Sequence, residues 1–339
     1  MAFCATQVQA QMQADDGYYL IGSVEDLTAF ADRVNSGQQT INGRLIADID
    51  LAGVENFTPI GLFADNGWNL PQRPYKGTFD GQGHVVKNLK VTMDDYYETG
   101  LFSRLEGAVL KNLGVINASV TNTRAIRAGV IAGELVTSKV TNCFSAGDIT
   151  VTTDHPKNNR GGLSGEAYNS DIKHCYSTFE LLIGDPLSSA VENCYGGEEA
   201  NAMAPTGQLC HQLNAGQAAT VFFQTLGTDA YPVLDSSHGT VYAVGELDCA
   251  GRPVGDIAYS NSGEAGELPP HDFDEEGYCT VCGKSSGEMA PAEDGWYEIS
   301  TADELRWFSR QVSAGNRGIN ARLMNDINLE EISLSLIHI

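Results

Sequence analysis

The 339-residue chain carries 44 acidic against 20 basic residues, a formal net charge of −24, and a surface so charged repels phosphate backbones and anionic membranes, which argues against a nucleic-acid binder. With 42% hydrophobic residues and 37 glycines, the composition is that of a folded, β-rich protein rather than a disordered one. No stretch holds the ~18 consecutive apolar residues of a membrane helix, and the length allows two or three domains.

Residues 1–15 read as the remnant of a signal peptide, because Val8, Gln9 and Ala10 have the small-residue pattern of a cleavage site. The expected localisation is therefore extracellular or cell-surface. From Asp16 a short strand leads into a helix that Ser23 caps with Asp26 three residues on. Val24, Leu27, Phe30, Ala31 and Val34 share one face of it, and Gly37 stops it. A strand is expected over 43–51, and the helix would plug the open edge of whatever β-structure follows. Between 51 and 77 lies an insertion with Trp68 and Tyr75. Exposed aromatics on such a loop can stack on sugar rings, but rings that pin a long loop to its scaffold are commoner.

The stretch 99–195 repeats one unit. Segments opening "TGLFS", "AGVIAG" and "GGLSG" each pass a polar turn and reach an aliphatic–x–Asn/His–Leu/Cys pattern. That pattern recurs at Val109–Leu113, Val140–Cys143, Ile172–Cys175 and Val191–Cys194, with a weaker copy at Val86–Leu89. Short strands at such a period, with no helical periodicity inside, predict an all-β fold: a right-handed parallel β-helix solenoid with an N-terminal capping helix over 16–200. Leu89, Leu113, Cys143, Cys175 and Cys194 would form one inward ladder. Asn88, Asn112, Asn142, His174 and Asn193 would form a second at a turn, where amide side chains tolerate left-handed backbone. Both ladders read as structural, since cysteine packs as a small buried hydrophobe.

The "GGLSG" and "AGVIAG" openings followed by "VTNCFSAGDI", with "GTFDGQGHVVKNLKV" before them, resemble the GLUG-repeat family of bacterial secreted and surface proteins, over roughly residues 16–197. The resemblance implies a β-helical, exported, multi-module protein and names no ligand.

Residues 201–238 are expected to close the last coil, with a short helix turning Leu209 and Leu213 inward and a strand over 221–235. His211 reads as a capping or surface residue. Cys210 beside it cannot face it from a helix. In 239–287, Cys249, His271, Cys279 and Cys282 have metal-ligand spacing. Two thiolates in a Cys-x-x-Cys turn form half of a tetrahedral zinc site that one further Cys and one His complete. A disulfide or a redox role remains open for the same residues. Structural Zn²⁺ is the expected cofactor, because so few apolar side chains cannot fold this segment unaided.

Asp294–Leu329 aligns without a gap on Asp16–Leu51, matching Tyr297 to Tyr19, Leu305 to Leu27, Phe308 to Phe30 and Asp326 to Asp48. Residues 288–333 are therefore expected to start a second β-helix, truncated by 334–339, which match the translation of a sequencing-library adaptor end.

Two function classes compete. One is an exported binding or adhesion protein whose partner is a glycan or a protein at the cell surface; the other is a carbohydrate-active enzyme using a lateral face of the coils. The first is favoured, on the expectation that no ladder position is Asp, Arg or Lys in successive coils and that carboxylates do not stack, with Asp80, Asp48 and Asp50 in turns and at strand ends. The His-Glu-x-x-His helix of a metallopeptidase is absent from the sequence. No catalytic or cofactor-binding residue is assigned beyond the metal set.

Overall fold

The computed structural model describes residues 14–15, 17–63, 72–93, 98–122, 126–153, 159–245, 249, 258–263, 269–274, 278–281, 289–313, 316 and 318–329. Among the described residues strand outweighs helix, 41% to 15%, in keeping with an all-β, parallel-strand fold. The chain divides into two units, 1–243 with 259–263, and 244–258 with 264–339.

In the first unit, consecutive copies of the repeat stack as parallel strands. The long column runs Tyr18–Ile21, Asn42–Leu45, Thr78–Asp80, Val109–Asn122, Lys139–Thr153, Asp171–Lys173 and Ala190–Glu192. A second column holds Glu98–Thr99, Arg127–Gly129 and Asn159–Gly161, and a third Phe102–Glu106, Ala132–Val136, Ser164–Tyr168 and Ile183–Asp185. No single strand can bury its own apolar side, so stability comes from the copy above and the copy below. Leu101, Leu110, Leu113, Val140 and Ile172 are at most 1% exposed in one continuous core. Truncating any of them to Ala should cost roughly 2–5 kcal/mol.

The asparagine ladder forms at a corner of the long column. Asn88, Asn112, Asn142, His174 and Asn193 all have left-handed backbone, with φ between 50° and 58°. Asn142 Nδ2 donates to Asn112 Oδ1 at 3.1 Å, and Asn112 Nδ2 to Asp80 Oδ1 at 3.2 Å. Asn88 and Leu89, however, stand one corner further on. Leu89 pairs with Ala118, not Leu113, which sets Asn88 beside Asn117, itself at φ 56°. The strand Val85–Met93 lies against the second half of Val109–Asn122, so the weak copy follows a different part of its neighbour.

The sulfur ladder has a hydrogen-bond pattern of its own. The Cys143 amide donates to Cys175 Sγ at 3.4 Å and the Cys175 amide to Cys194 Sγ at 3.3 Å. Each thiol in turn donates to the carbonyl two residues before it: Thr141, Lys173 and Glu192. Burial pushes the Cys175 thiol far above its ordinary range, so it packs as a neutral group. A serine ladder repeats the device at another corner. The amides of Ala108, Ser138 and Ser170 donate to the hydroxyls of Ser138, Ser170 and Ser189 at 3.2, 3.1 and 3.0 Å.

Helix α1 (Val24–Asn35) packs its buried face into the core beside the first strands of the long column. Ser23 Oγ accepts from the Asp26 amide, Leu27, Phe30, Ala31 and Val34 are buried, and Phe30 meets Tyr75 and Phe79 edge-on at 5.9 and 5.7 Å. The strand expected over 43–51 is broken into Asn42–Leu45 and Ile49–Asp50, each pairing with a different later strand. At the far end, helices α2 (Gly197–Met203) and α3 (Gln208–Asn214) follow the last strand, with Leu209 and Leu213 buried. The expected strand over 221–235 does not form. Turns around Thr225–Asp229 fold the segment back, leaving one antiparallel bridge, Phe223 to Val233.

This closing segment covers an outward column of aromatics. Phe144 and Tyr176 stack at 5.1 Å, and Tyr176 lies 6.1 Å from Phe222. Gly114 begins the column because a Cβ there would meet the Phe144 ring at 2.4 Å.

Candidate metal centre

In the second unit, Phe273 and Cys279 form an antiparallel bridge, tightened by bonds from the Asp274 amide to the Tyr278 carbonyl and from the Thr280 amide to the Asp272 carbonyl. The Arg310 guanidinium of helix α4 (Ala302–Ser313) lies 4.0 Å over the Tyr278 ring and braces this ribbon. His271 thereby comes to stand beside Cys279, and its ring packs 5.5 Å from Phe273.

Cys249 completes the group. The donor atoms of Cys249, His271 and Cys279 all lie within 4.8 Å of one another, with both cysteines buried. The two Sγ atoms are 3.3 Å apart. That is well beyond the roughly 2.05 Å of a disulfide, and near the ~3.7 Å edge of a tetrahedron with ~2.3 Å metal–sulfur bonds. Two thiols and one imidazole converging at this range can hold a metal ion, and their softness suits zinc or another thiophilic cation better than a hard one. Cys282, the fourth candidate, lies outside the described residues, as does Trp68.

The remaining singled-out residues are structural. Tyr75 is fully buried, and its hydroxyl donates to the Ile41 carbonyl at 2.9 Å, so it pins the insertion and offers no face to a sugar. Asp80 accepts from the Gln82 amide, Gln82 Nε2 and Asn112, and pairs with Lys111 at 3.1 Å. Asp50 caps its own turn through the Ala52 amide and takes Asn88 Nδ2 at 2.8 Å. Cys210 donates to the Phe222 carbonyl, while His211 packs 5.5 Å from Tyr259. The two do not face each other.

One expectation is overturned: outside the two ladders, carboxylates do stack in successive repeats. Arg104, Glu134, Glu166 and Asp185 occupy equivalent positions of the third column. Glu98, Arg127 and Asn159 do so in the second. Arg104 pairs with Glu134 at 2.8 Å, and Arg127 with Glu98 and Glu166 at 3.0 Å each. Glu98 is fully buried. That burial, reinforced by the nearby Glu134 charge, pushes its carboxyl up to about 8 against the pull of Arg127 and Arg104. Glu134 and Glu166 are 5% and 8% exposed, so the network is covered rather than open to a polymer. Arg104, Glu134 and Glu166 open segments of differing sequence, and only the pairing register shows that they stack. A comparison of "RLE", "ELV" and "EAY" without that register does not reveal the column.

No protein-family profile matches the chain. It is 32% identical to Halomucin of Haloquadratum walsbyi over 157 residues, covering 43% of this chain and 2% of that far longer protein. A crystal structure from Bacteroides ovatus named for an immunoglobulin A1 protease superposes with a TM-score of 0.41 at 17% identity, over 66% of this chain and 93% of that one. A likeness of that size carries no argument on fold or activity. The comparisons thus leave the chain without an assigned family, and its function is argued from its own residues.

Proposed function

We propose that the chain is a stretch of an exported, multi-module binding or adhesion protein. In this reading a right-handed parallel β-helix is the rigid scaffold, and its lateral surface recognises a glycan or protein at the cell surface. The observation that carries it is the repetition of the opening unit. Strand Trp296–Ile299, helix α4 and strand Asn320–Leu323 reproduce Tyr18–Ile21, α1 and Asn42–Leu45 at a constant displacement of 278 residues, Tyr18 to Trp296 and Leu45 to Leu323 alike. Register is kept too, Tyr18 pairing Asn42 as Trp296 pairs Asn320. Restarting a whole module suits an array of spacers or display units, in which each unit is added to the last. The parallel stacking in three columns supports the β-helix, and the alignment to a small part of a far longer protein is in keeping with an array.

The Cys249–His271–Cys279 group is, on this reading, a structural Zn²⁺ site with Cys282 as fourth ligand, contributing folding and no catalysis. The enzyme alternative draws on the stacked Arg104, Glu134, Glu166 and Asp185 column. Its burial under paired arginines weighs against a polymer-cleaving groove.

Purified chain should be applied to a glycan array and to immobilised extracellular-matrix proteins, and incubated in parallel with acidic and neutral polysaccharides. Saturable binding without release of reducing or unsaturated ends is expected. Release of such ends that is lost in Glu134→Gln would replace this reading with the enzymatic one.

A further inference from the structure

The first unit contains a cleft that neither the repeats nor the metal group accounts for. It lies between the turn at Gly81–Val85 and the closing segment Val233–His238, with a volume of about 360 Å³. Small-molecule clefts run roughly 300–1,000 Å³, so this one fits a single ring-sized molecule. The two walls are held together at Gly83, which has φ 86° and where a Cβ would meet the Leu234 carbonyl at 3.0 Å.

Each wall presents an imidazole oriented by a carboxylate. His84 Nδ1 is 3.2 Å from Asp48 Oδ1, and His238 Nδ1 is 2.7 Å from Asp229 Oδ2. A neutral ring that gives its Nδ1 proton to a carboxylate keeps Nε2 as an acceptor. Lys87 Nζ, 2.8 Å from Asp48 Oδ2, adds a cationic donor, and Asp235 adds an exposed carboxylate at the rim. Ile116 and Leu234 supply an apolar patch between the polar groups.

Three ligand chemistries can be separated on these residues. An anion would face Asp48 and Asp235 with one lysine, itself paired with Asp48, to set against them. A bare metal ion needs three donors drawn together, and among the described residues only Cys249, His271 and Cys279 meet that condition. A neutral polyhydroxylated ring fits. Its hydroxyls can donate to Asp235 and to the imidazole acceptors and accept from Lys87, while its C–H face rests on Ile116 and Leu234. We propose that this cleft binds one neutral saccharide unit, which rests on the binding role proposed above and gives it a place on the molecule.

The probes are D-glucose, D-galactose, D-mannose and N-acetyl-D-glucosamine with their disaccharides, titrated into the full chain and followed by saturation-transfer NMR. At least one should bind saturably. Ser236→Trp, which fills the mouth from an exposed position, and His84→Ala, which removes one imidazole acceptor, should each weaken that binding about tenfold or more. Circular dichroism and melting should be unchanged in both. If no probe binds, or binding survives both variants, the cleft is not a saccharide site. If only phosphate or Zn²⁺ perturbs the histidine resonances, the ligand class is wrong. Array binding by the chain that persists in both variants would overturn the cleft while leaving the module's binding role intact.

Discussion

Residues 18–51 and 296–329 are the same local structure in two states of burial. Both begin with a cap of one design. The Asp26 amide donates to Ser23 Oγ and the Gly22 amide to Asp26; the Glu304 amide donates to Thr301 Oγ1 and the Ser300 amide to Glu304. Both close with the same backbone bond, Ile46 to the Ile21 carbonyl and Met324 to the Ile299 carbonyl. Yet Leu45 is fully buried while its counterpart Leu323 is 63% exposed, and Leu51 is buried while Leu329 is 40% exposed. In the first copy strand Thr78–Asp80 pairs with Asn42–Leu45, and Tyr75 and Phe79 pack on Phe30 of the helix. The strand–helix–strand unit is thus specified locally, by cap, periodicity and register, and in the first copy it gains stability from the strands packed on it.

The largest expected effect breaks this symmetry outright. Leu45→Asp should destabilise the first unit by about 4 kcal/mol or more, since it opens a cavity and buries a charge. Leu323→Asp should change the second by less than about 0.5 kcal/mol, as surface substitutions do. Calorimetry with two resolved transitions reads both, and equal shifts would mean that the two faces are equally covered.

Chelation comes next and should act on the second unit alone. Removing metal from the Cys249 group should lower or abolish the melting transition of 244–339 and leave that of the first unit in place. Metal analysis of the untreated protein should find one Zn²⁺. A defined disulfide found by mass spectrometry, with no metal, would replace the zinc centre.

pH should separate the units in the opposite sense. Glu98 has a folded-state value raised from 4.5 to about 8. Its contribution to stability is therefore complete below about 4.5 and is lost as pH rises toward 8. Asp48 and Asp80 run the other way. Burial opposes their ionisation, but Lys87 and the Val85 amide for Asp48, and the Gln82 amide and Lys111 for Asp80, hold both below the ordinary range. Their contribution is lost only below about pH 4. The first unit should then lose stability between pH 5 and 8 on the order of a few kcal/mol, and Glu98→Gln should flatten that slope whatever it does to the midpoint. An unchanged slope would rule Glu98 out as its source.

The smallest effect sharpens the likeness instead of breaking it. Ser23→Ala and Thr301→Ala should each cost about 1 kcal/mol, the usual worth of an N-cap. Unequal losses beyond about 0.5 kcal/mol would show that cap strength depends on the burial of the helix it starts.

Local patterns made much of this protein legible from its residues. Helix α1, its cap and its buried face follow from Ser23, Asp26 and the spacing of Leu27, Phe30 and Val34. The left-handed corners follow from Asn112, Asn142 and Asn193, because asparagine tolerates that backbone. The grouping of Cys249, His271 and Cys279 follows from ligand chemistry, and the repeated strand–helix–strand unit from plain identity. Each is a property of a few neighbouring residues or of a recognisable side-chain type. What only the tertiary structure decided is which residues from different repeats meet. The shift of Leu89 onto Ala118, the column of Arg104, Glu134, Glu166 and Asp185, the serine ladder, and the cleft joining His84 to His238 all depend on pairing register and on where the closing segment lands. A shift of register costs little in local propensity, but it changes every contact between coils. The choice is made by packing the whole stack at once, and no single repeat contains it.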